Sequence, residues 1–342
     1  MKVMIAGLGN MGVSHALAYH DHPQSEVVGL VNRSAVSLPE RLKGYPLHRD
    51  FRAALVETRP DIVCIATYSD SHADYAIAAM EAGAHVFVEK PLATTVADAS
   101  RVVETAQRLG RKLVVGYILR HHPSWIRLIS EARALGGPYV FRLNLNQQSD
   151  GPTWDVHKAL MQTTSPIVDC GVHYVDVMCQ ITDAPPLRVH GIGLRLSEEI
   201  AADMYNYGQL QVTFADQSVG WYEAGWGPMI SETAFFVKDI VSPNGAVSII
   251  DGNKGASDDV DGHTKVGSIL VHTTQGDRVI EMPDEPGHQA LCDAEAAYVL
   301  RAVAEDLDLT RHLSDAVGSL AICLAADESI RTGRVISMEG RL

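Results

Sequence analysis

The stretch KVMIAGLGNMG, residues 2–12, decides the fold of the first third of this chain. Its apolar first half predicts a strand, and the pattern Gly7-x-Gly9-x-x-Gly12 follows at once. A helix candidate begins directly after the glycines. Strand, glycine turn and helix in this order are typical of the first βαβ unit of a Rossmann dinucleotide-binding domain.

Each glycine has a separate physical task in such a turn. Gly7 allows the tight change of direction, Gly9 lets a pyrophosphate approach the backbone, and Gly12 lets the helix pack closely on the strand. The phosphates are then expected on the backbone N–H groups around Asn10 and Met11, at the positive end of the helix dipole. A glycine-rich turn that binds no cofactor stays open as the alternative.

The end of the second predicted strand, residues 26–31, bears on which cofactor binds. Asn32 stands 20 positions after Gly12, where an acidic residue normally holds the adenosine ribose. The neutral amide of Asn32 and the guanidinium of Arg33 can donate hydrogen bonds to a 2′-phosphate, which a carboxylate would repel. NADP(H) is therefore favoured, with NAD(H) or dual use left open. Arg33 stacking on the adenine or pointing to solvent is the other interpretation.

Length and composition indicate two domains. With 342 residues, 46% of them hydrophobic, the chain exceeds what a single core usually supports. We place a dinucleotide-binding domain at 1–120 and a substrate-binding and oligomerisation domain at 121–342. The formal net charge of −14 argues against nucleic acid or an anionic membrane as a partner. No apolar run reaches membrane-spanning length and no signal peptide is evident, so we expect a cytoplasmic protein.

The spacing of the cysteines bears on whether a Cys-rich metal centre is present. All five are scattered, with no C-x-x-C pair, which is typical of a reducing compartment. We therefore expect no Cys-rich structural zinc. Four residues are conceivable ligands by type alone: His157, Asp169, His173 and Asp176. They match no ligand spacing, so we predict no metal.

The pattern of elements changes after the first third of the chain. Up to about residue 115 strands alternate with helices, which predicts a parallel sheet. From about residue 139 the segments lengthen and alternate apolar with polar residues, as antiparallel strands do. Eight such segments lie between 140 and 282, among them 233–237. Two helices, 289–305 and 313–332, follow them. The predicted fold class is α/β, a Rossmann sheet followed by an antiparallel sheet.

Lys90 and His173 are the candidates for moving a proton while hydride leaves the adjoining carbon. Lys90 follows a buried strand and precedes Pro91, so its position is rigid, and its ammonium can polarise a hydroxyl. His173 lies four residues after Asp169, which predicts that both occupy one helix face. A pKa near neutrality suits His173 to proton transfer, and Asp169 can orient it. Taken singly, these residues also fit a surface lysine, a core histidine and a helix N-cap.

Five motifs resemble those of the Gfo/Idh/MocA oxidoreductases over nearly the whole chain. They are Gly7-Leu8-Gly9-Asn10-Met11-Gly12, Ala66-Thr67-x-x-x-x-His72, Glu89-Lys90-Pro91-Leu92, Gly116-Tyr117-x-x-Arg120 and Asp169-Cys170-Gly171-Val172-His173-x-x-Asp176. The resemblance implies an N-terminal Rossmann domain and a C-terminal α+β domain with a large, mostly antiparallel open sheet. It also implies oxidation or reduction at a secondary alcohol of a sugar, inositol or related polyol.

The resemblance assigns roles to residues as well. The catalytic positions match Lys90, Asp169 and His173, with the histidine as general base and the lysine assisting. Residues expected at the cofactor, besides the glycine motif and the Asn32-Arg33 pair, are Thr67, His72, Glu89 and Lys90. Residues expected at the substrate are Lys90, Tyr117, Arg120, Asp169 and His173. Pro91 is expected in cis.

Two segments depart from the family pattern. Thr67-Tyr68-Ser69-Asp70 stands where proline is usual, and Thr164-Ser165-Pro166 replaces a common glycine pair. The polar stretch 147–158, with Trp154 and His157, is predicted to line or cover the substrate site, since a hydrogen-bonding aromatic wall suits a polyhydroxylated ligand. An ordinary surface loop is the alternative for this stretch.

Trp221 and Glu223 share one face of a predicted strand by period two. A packed sheet or a subunit interface explains this pattern as well as a sugar contact does. The resemblance implies that copies associate through this sheet, as a homodimer or homotetramer.

Three functions remain open at this point. An NAD(P)-dependent dehydrogenase or reductase of a sugar, inositol or aminocyclitol is favoured. A nucleotide-retaining glycosidase, a chemistry known in branches of the resembled family, is the second. A non-catalytic nucleotide sensor is the third, and the intact set of Lys90, Asp169 and His173 argues against it, because a binding module needs no acid–base groups.

Overall fold

A computed structural model of the chain describes residues 1–231, 237–250 and 267–341. The predicted strand at 233–237 lies outside these ranges except for Val237, which is not in a strand. The chain divides into two compact units: unit 1 is Met1–Ile118 with Gln289–Val317, and unit 2 is Leu119–His288 with Gly318–Leu342. The predicted division at 120 therefore needs a correction, because residues 289–317 join unit 1.

Hydrogen bonds between distant parts of the chain explain this correction. The N–H of Val115 donates to Nε2 of His312 at 2.9 Å. Nζ of Lys112 donates to the carbonyl of Leu307 at 2.7 Å. Hydrophobic periodicity cannot predict such hydrogen bonds, because it indicates which face of a helix is buried and not which residues that face contacts.

The described elements, in chain order, are these. The strands are β1 (Lys2–Ala6), β2 (Glu26–Val31), β3 (Leu47–His48), β4 (Ile62–Ile65), β5 (His85–Glu89), β6 (Leu113–Gly116), β7 (Val140–Gln148), β8 (Pro186–Leu194), β9 (Tyr207–Phe214), β10 (Val219–Gly227), β11 (Lys238–Ser242), β12 (Gly245–Ile250), β13 (Ser268–Thr273), β14 (Gly276–Glu281) and β15 (Ile336–Ser337). The helices are α1 (Asn10–Asp21), α2 (Phe51–Thr58), α3 (His72–Glu81), α4 (Val96–Leu109), α5 (Pro123–Leu135), α6 (Gly151–Leu160), α7 (Pro166–Asp169), α8 (Gly171–Thr182), α9 (His288–Ala304) and α10 (Thr310–Thr332).

Strands β1 to β6 form the parallel sheet of unit 1, in the order β3-β2-β1-β4-β5-β6. β4 and β6 are buried at every residue, as expected where both faces of a parallel sheet are covered. The glycine turn, Asn32, Thr67 and Lys90 come after β1, β2, β4 and β5. Because parallel strands end at one edge, these groups line the same edge of the sheet. The predicted Rossmann sheet is confirmed.

Strands β7 to β15 form the sheet of unit 2, in the order β14-β13-β12-β11-β7-β10-β9-β8-β15. Strands β7 and β10 run parallel, and the other neighbours run antiparallel. One face packs on helices, because a Cβ at Gly220 would meet Met178 of α8 and one at Gly191 would meet Ala326 of α10. The mostly antiparallel sheet predicted for the second domain is confirmed. Among the described helices, none is long and apolar enough to span a bilayer.

Asp169 and His173 lie in two helices rather than one. α7 ends at Asp169 and α8 begins at Gly171, with Cys170 between them. The N–H of His173 donates to the carbonyl of Cys170, a bond that spans three residues and winds the chain more tightly than an α-helical turn. The continuous helix predicted from their spacing is therefore wrong.

Replacing Gly12 with alanine should destabilise the protein. A Cβ at Gly12 would lie 1.8 Å from the carbonyl oxygen of Gly7, so the backbone must move. We expect the free energy of unfolding to fall by about 1–3 kcal/mol, the usual cost of overpacking. Gly9→Ala is the matched control, because a Cβ at Gly9 meets nothing within 4 Å and the backbone φ there is −73°. Urea unfolding of both variants measures the difference, and equal losses would contradict this explanation.

Candidate functional site

The glycine turn has the geometry that a pyrophosphate needs. Gly7 has a φ of +87°, and a Cβ there would lie 2.4 Å from the carbonyl oxygen of Ala66. Gly12 touches the turn itself, whereas Gly9 faces open space at the exposed start of α1. The first N–H groups of α1 point out of the helix at Asn10, as those of every helix start do. The turn therefore fits a dinucleotide on the helix N-terminus.

Asn32 connects the end of β2 to this turn. Its Oδ1 accepts a hydrogen bond from the N–H of Leu8 at 3.0 Å, and its Nδ2 donates to the carbonyl of Ser34 at 2.9 Å. Arg33 next to it is exposed, and Nη1 of Arg49 donates to the Arg33 carbonyl at 3.2 Å. Two guanidinium-bearing residues thus lie where the adenosine ribose of a bound dinucleotide is expected.

Two buried histidines hold the backbone around Lys90. On one side, Nε2 of His15 lies 2.6 Å from Oε1 of Glu89. The other carboxylate oxygen of Glu89 accepts the N–H of Lys90 at 3.2 Å. On the other side, Nδ1 of His72 lies 2.7 Å from the carbonyl oxygen of Pro91. Because both neighbours of Lys90 are tied to the core, its partly exposed side chain starts from a well-defined position.

Glu89 and His72 are buried side chains that support the loops around them. Glu89 is 6% exposed and His72 is 1% exposed, and their expected contact with the cofactor stays a prediction. Nε2 of His72 is 3.0 Å from the carbonyl oxygen of Thr67, which links the loop after β4 to Pro91. Burial lowers the pKa of His72, and the two carbonyl oxygens beside its ring nitrogens oppose that shift. The Lys90–Pro91 peptide is cis, as predicted.

Asp169 and His173 are partly exposed residues of unit 2. Ser165, in the segment that departs from the family pattern, caps α7 by accepting the N–H of Val168. Its hydroxyl donates in turn to Oδ1 of Asp327 at 2.8 Å. Burial raises the pKa of Asp327. The serine thus replaces the common glycines with a cap that is anchored to α10.

A polar and aromatic network extends from Asp169 into the sheet. The thiol of Cys170 lies 3.6 Å from Oδ2 of Asp169 and 3.4 Å from Oε1 of Gln147. Nε1 of Trp226 donates to the same Gln147 oxygen at 2.8 Å. The ring of His157 stacks on Trp226, with centroids 4.3 Å apart. Residues of the predicted stretch 147–158 therefore do lie near Asp169, and they belong to β7 and α6 rather than to a surface loop.

Three residues predicted at the substrate are engaged inside their own units. Tyr117 is 1% exposed and donates to the carbonyl of Ala316 at 3.4 Å. Arg120 forms a two-pronged ion pair with Asp176 at 2.8 and 2.6 Å. Trp154 is 4% exposed. These contacts support the fold of each unit, and the Asp176 carboxylate pairs with Arg120. Contact of the three residues with a substrate stays a prediction.

The sequence analysis missed His15 and Asp327, and it missed the parts played by Ser165 and Gln147. His15 carried a usable signal, because it follows Gly12 by three positions in the first helix, so one turn separates it from the nucleotide turn. No sequence signal marked Asp327, because its partners Ser165 and Tyr205 come from distant segments.

Two family models match the chain. One is described as an oxidoreductase family with an NAD-binding Rossmann fold, and it matches residues 1–117. The other is the GFO/IDH/MocA C-terminal domain, which matches residues 125–233. Together they cover parts of both units.

Individual relatives match over shorter stretches. Inositol 2-dehydrogenase from Salmonella typhimurium (strain LT2) is 28% identical over 186 residues, 52% of this chain and 53% of that protein. The 4-carboxy-2-hydroxymuconate-6-semialdehyde dehydrogenase of Sphingobium sp. is 35% identical over 169 residues, 46% of this chain and 54% of that protein. The chain thus spans about half the length of the curated relatives it matches.

The fold itself is shared over the full length. Scyllo-inositol dehydrogenase from Lactobacillus casei, solved with NAD(H) and scyllo-inositol, aligns with a TM-score of 0.77 over 99% of each chain, at 17% identity. At that identity the likeness shows the fold alone. The two matching family models lead to one conclusion: the chain belongs to the Gfo/Idh/MocA oxidoreductase family.

Proposed function

We propose that this protein is an NAD(P)-dependent dehydrogenase or reductase that moves hydride between nicotinamide and a secondary alcohol of an inositol, sugar or aminocyclitol. The open space beside Gly9 carries the proposal, because it leaves a helix N-terminus accessible to a pyrophosphate. The similarity to inositol 2-dehydrogenase supports the substrate class.

The proposed roles divide the chemistry between cofactor and chain. The nicotinamide supplies the hydride chemistry when bound, and the protein handles the proton. Lys90 polarises the substrate hydroxyl and stabilises the alkoxide as it forms. His173 accepts the hydroxyl proton as general base. Asp169 orients His173 or binds a second substrate hydroxyl.

An absorbance assay at the reduced-nicotinamide band tests the proposal. Purified protein is mixed with NAD⁺ or NADP⁺ and with inositols, aldoses, uronic acids and aminocyclitols, and in separate reactions with glycosides. Reduction with one polyol class supports a dehydrogenase. Hydrolysis of a glycoside without net reduction would favour the nucleotide-retaining glycosidase instead. No turnover in a protein that retains bound nucleotide would favour the sensor.

Lys90→Ala should lower kcat by about 10²–10⁴-fold, the usual contribution of an acid–base or electrostatic group. Nucleotide affinity should change little, because Glu89 and Pro91 hold the loop without the lysine side chain. Lys43→Ala is the control, since Lys43 is exposed and pairs only locally with Glu40 among the described contacts. Steady-state kinetics and calorimetric nucleotide binding measure both effects. A loss of affinity with unchanged kcat would refute the assigned role.

We propose NADP(H) as the preferred cofactor, on the strength of Asn32 and the neighbouring Arg33. Asn32→Asp keeps the acceptor for the Leu8 N–H but adds a charge that repels a 2′-phosphate. The ratio of kcat/KM for NADP⁺ to that for NAD⁺ should fall at least about tenfold, or about 1.4 kcal/mol. Arg33→Ala should shift the ratio in the same direction. An unchanged ratio in both variants would mean that the 2′ end is read elsewhere.

We also propose that copies associate, as a homodimer or homotetramer, through the face of the unit 2 sheet that carries Glu223. On this face Glu223 accepts from Asn146 at 2.7 Å and from Gln209 at 3.2 Å. The same face carries Ile192, which pairs with Gln209, and Leu194, which are 57% and 56% exposed. Exposed apolar side chains beside a buried polar network are typical of an interface.

The double variant Ile192→Lys and Leu194→Lys should dissociate the oligomer, because lysine ammonium groups resist burial. Val56→Lys is the control, because Val56 is an exposed apolar residue of unit 1, with 74% of its surface accessible. Sedimentation velocity reports the mass of each. A wild-type monomer, or a double variant of unchanged mass, would contradict the proposed interface.

A further inference from the structure

A group of ionisable side chains lies in the core of unit 1. His15 comes from α1, Glu89 ends β5, and Cys292 and Glu295 both come from α9. None of the four is more than 6% exposed. Cys64 of β4 is close enough that the Glu89 and Glu295 carboxylates raise the pKa of its thiol, after burial. The proposed dehydrogenase mechanism uses none of these groups except Glu89, as an anchor.

Glu295 is the unusual member. Within the described part of the chain neither of its carboxylate oxygens has a hydrogen-bond partner. The side chain is 1% exposed, so bulk water does not solvate it. Burial and the nearby Glu89 carboxylate both raise the pKa of Glu295. A buried carboxylate is costly unless something binds or neutralises it, and an unsatisfied group in a native core points to an ion, a proton or an internal water.

Three possible ligand atoms converge on this carboxylate. A ring nitrogen of His15, Sγ of Cys292 and an oxygen of Glu295 lie within 4.8 Å of one another. Tetrahedral zinc, with bonds of about 2.0–2.3 Å, needs ligands about 3.5 Å apart, so side-chain rotations of modest size close the set. Cys292 and Glu295 share a helix face at three-residue spacing. Nε2 of Gln289 donates to the carbonyl of Ser14 at 2.9 Å, which holds α9 against α1.

We propose that His15, Cys292 and Glu295 bind one divalent transition-metal ion, with zinc as the best match. Nitrogen, sulfur and oxygen donors together suit zinc, whereas magnesium and calcium prefer oxygen alone. Glu89, 2.6 Å from His15 Nε2, is the neighbouring carboxylate that orients metal-binding imidazoles. Binding transfers the Cys292 thiol proton to solvent, so the ion, the thiolate and the Glu295 carboxylate are neutral together. The ion would tie α1 to α9.

Metal content of the wild-type protein is the first test. Protein stripped with a chelator is incubated with Zn²⁺, passed through a desalting column and analysed by mass spectrometry for zinc. We expect about one zinc per chain, as in structural sites. With Co²⁺ as the probe, a thiolate-to-metal band in the near ultraviolet should appear. Absence of both retained zinc and the cobalt band would overturn the proposal.

Variants assign the ligands. Cys292→Ser and Glu295→Gln should each weaken zinc binding at least about tenfold. Cys179→Ser, which changes a partly exposed cysteine of α8, should bind like the wild type. Equal zinc affinity in all three variants would overturn the assignment.

Thermal unfolding distinguishes a metal from a trapped proton or water. Zinc should raise Tm of the wild type and leave Glu295→Leu unchanged, while metal-free Glu295→Leu should be at least as stable as metal-free wild type. If zinc leaves the wild-type Tm unchanged and Glu295→Leu unfolds at lower temperature, a proton or a water satisfies the carboxylate and the proposal is wrong. The metal-site proposal and the proposed dehydrogenase function are tested independently, because none of these measurements depends on turnover.

Discussion

The close contact between Gly12 and the carbonyl of Gly7 is the constraint on which unit 1 depends. It presses the start of α1 against the turn after β1, so the first N–H groups of the helix face the space beside Gly9. Asn32 then fastens the same turn to the end of β2 through the Leu8 N–H. A side chain larger than hydrogen at Gly12 would separate helix and turn, and the anion-binding geometry would be lost with the packing.

Helix α1 also supports the loop that carries Lys90. One turn beyond the glycines, His15 holds Glu89, and the Glu89 carboxylate holds the N–H of Lys90. His72 supports the next residue from the other side, through the carbonyl of Pro91. The cofactor turn and the lysine loop are therefore coupled through one helix in unit 1. In unit 2 the equivalent support is the Ser165 cap on α7, which Asp327 anchors.

Periodicity and motifs determine which features of the structure could be predicted from the sequence. Apolar runs and glycines report local conformation, so the parallel sheet and the glycine turn were predictable from them. The cis Pro91 was implied only by the resemblance to the Gfo/Idh/MocA family. The direction of a side chain was not predictable: the motifs that contain Glu89 and His72 give no sign that both side chains are buried, because a motif does not say which way a side chain faces. Long-range partners were not predictable either, such as His312 for Val115 or Glu89 for His15, since nothing local marks them.

The central claim is that this chain uses its dinucleotide turn for net hydride transfer from a polyol carbon. The most direct measurement is the mass of the reduced nicotinamide formed from an inositol or sugar deuterated at its carbon positions. The account predicts a single deuterium in the reduced cofactor, with the ketone as the other product. Reduced cofactor without deuterium, or a polyol released by hydrolysis while the cofactor stays oxidised, would contradict it.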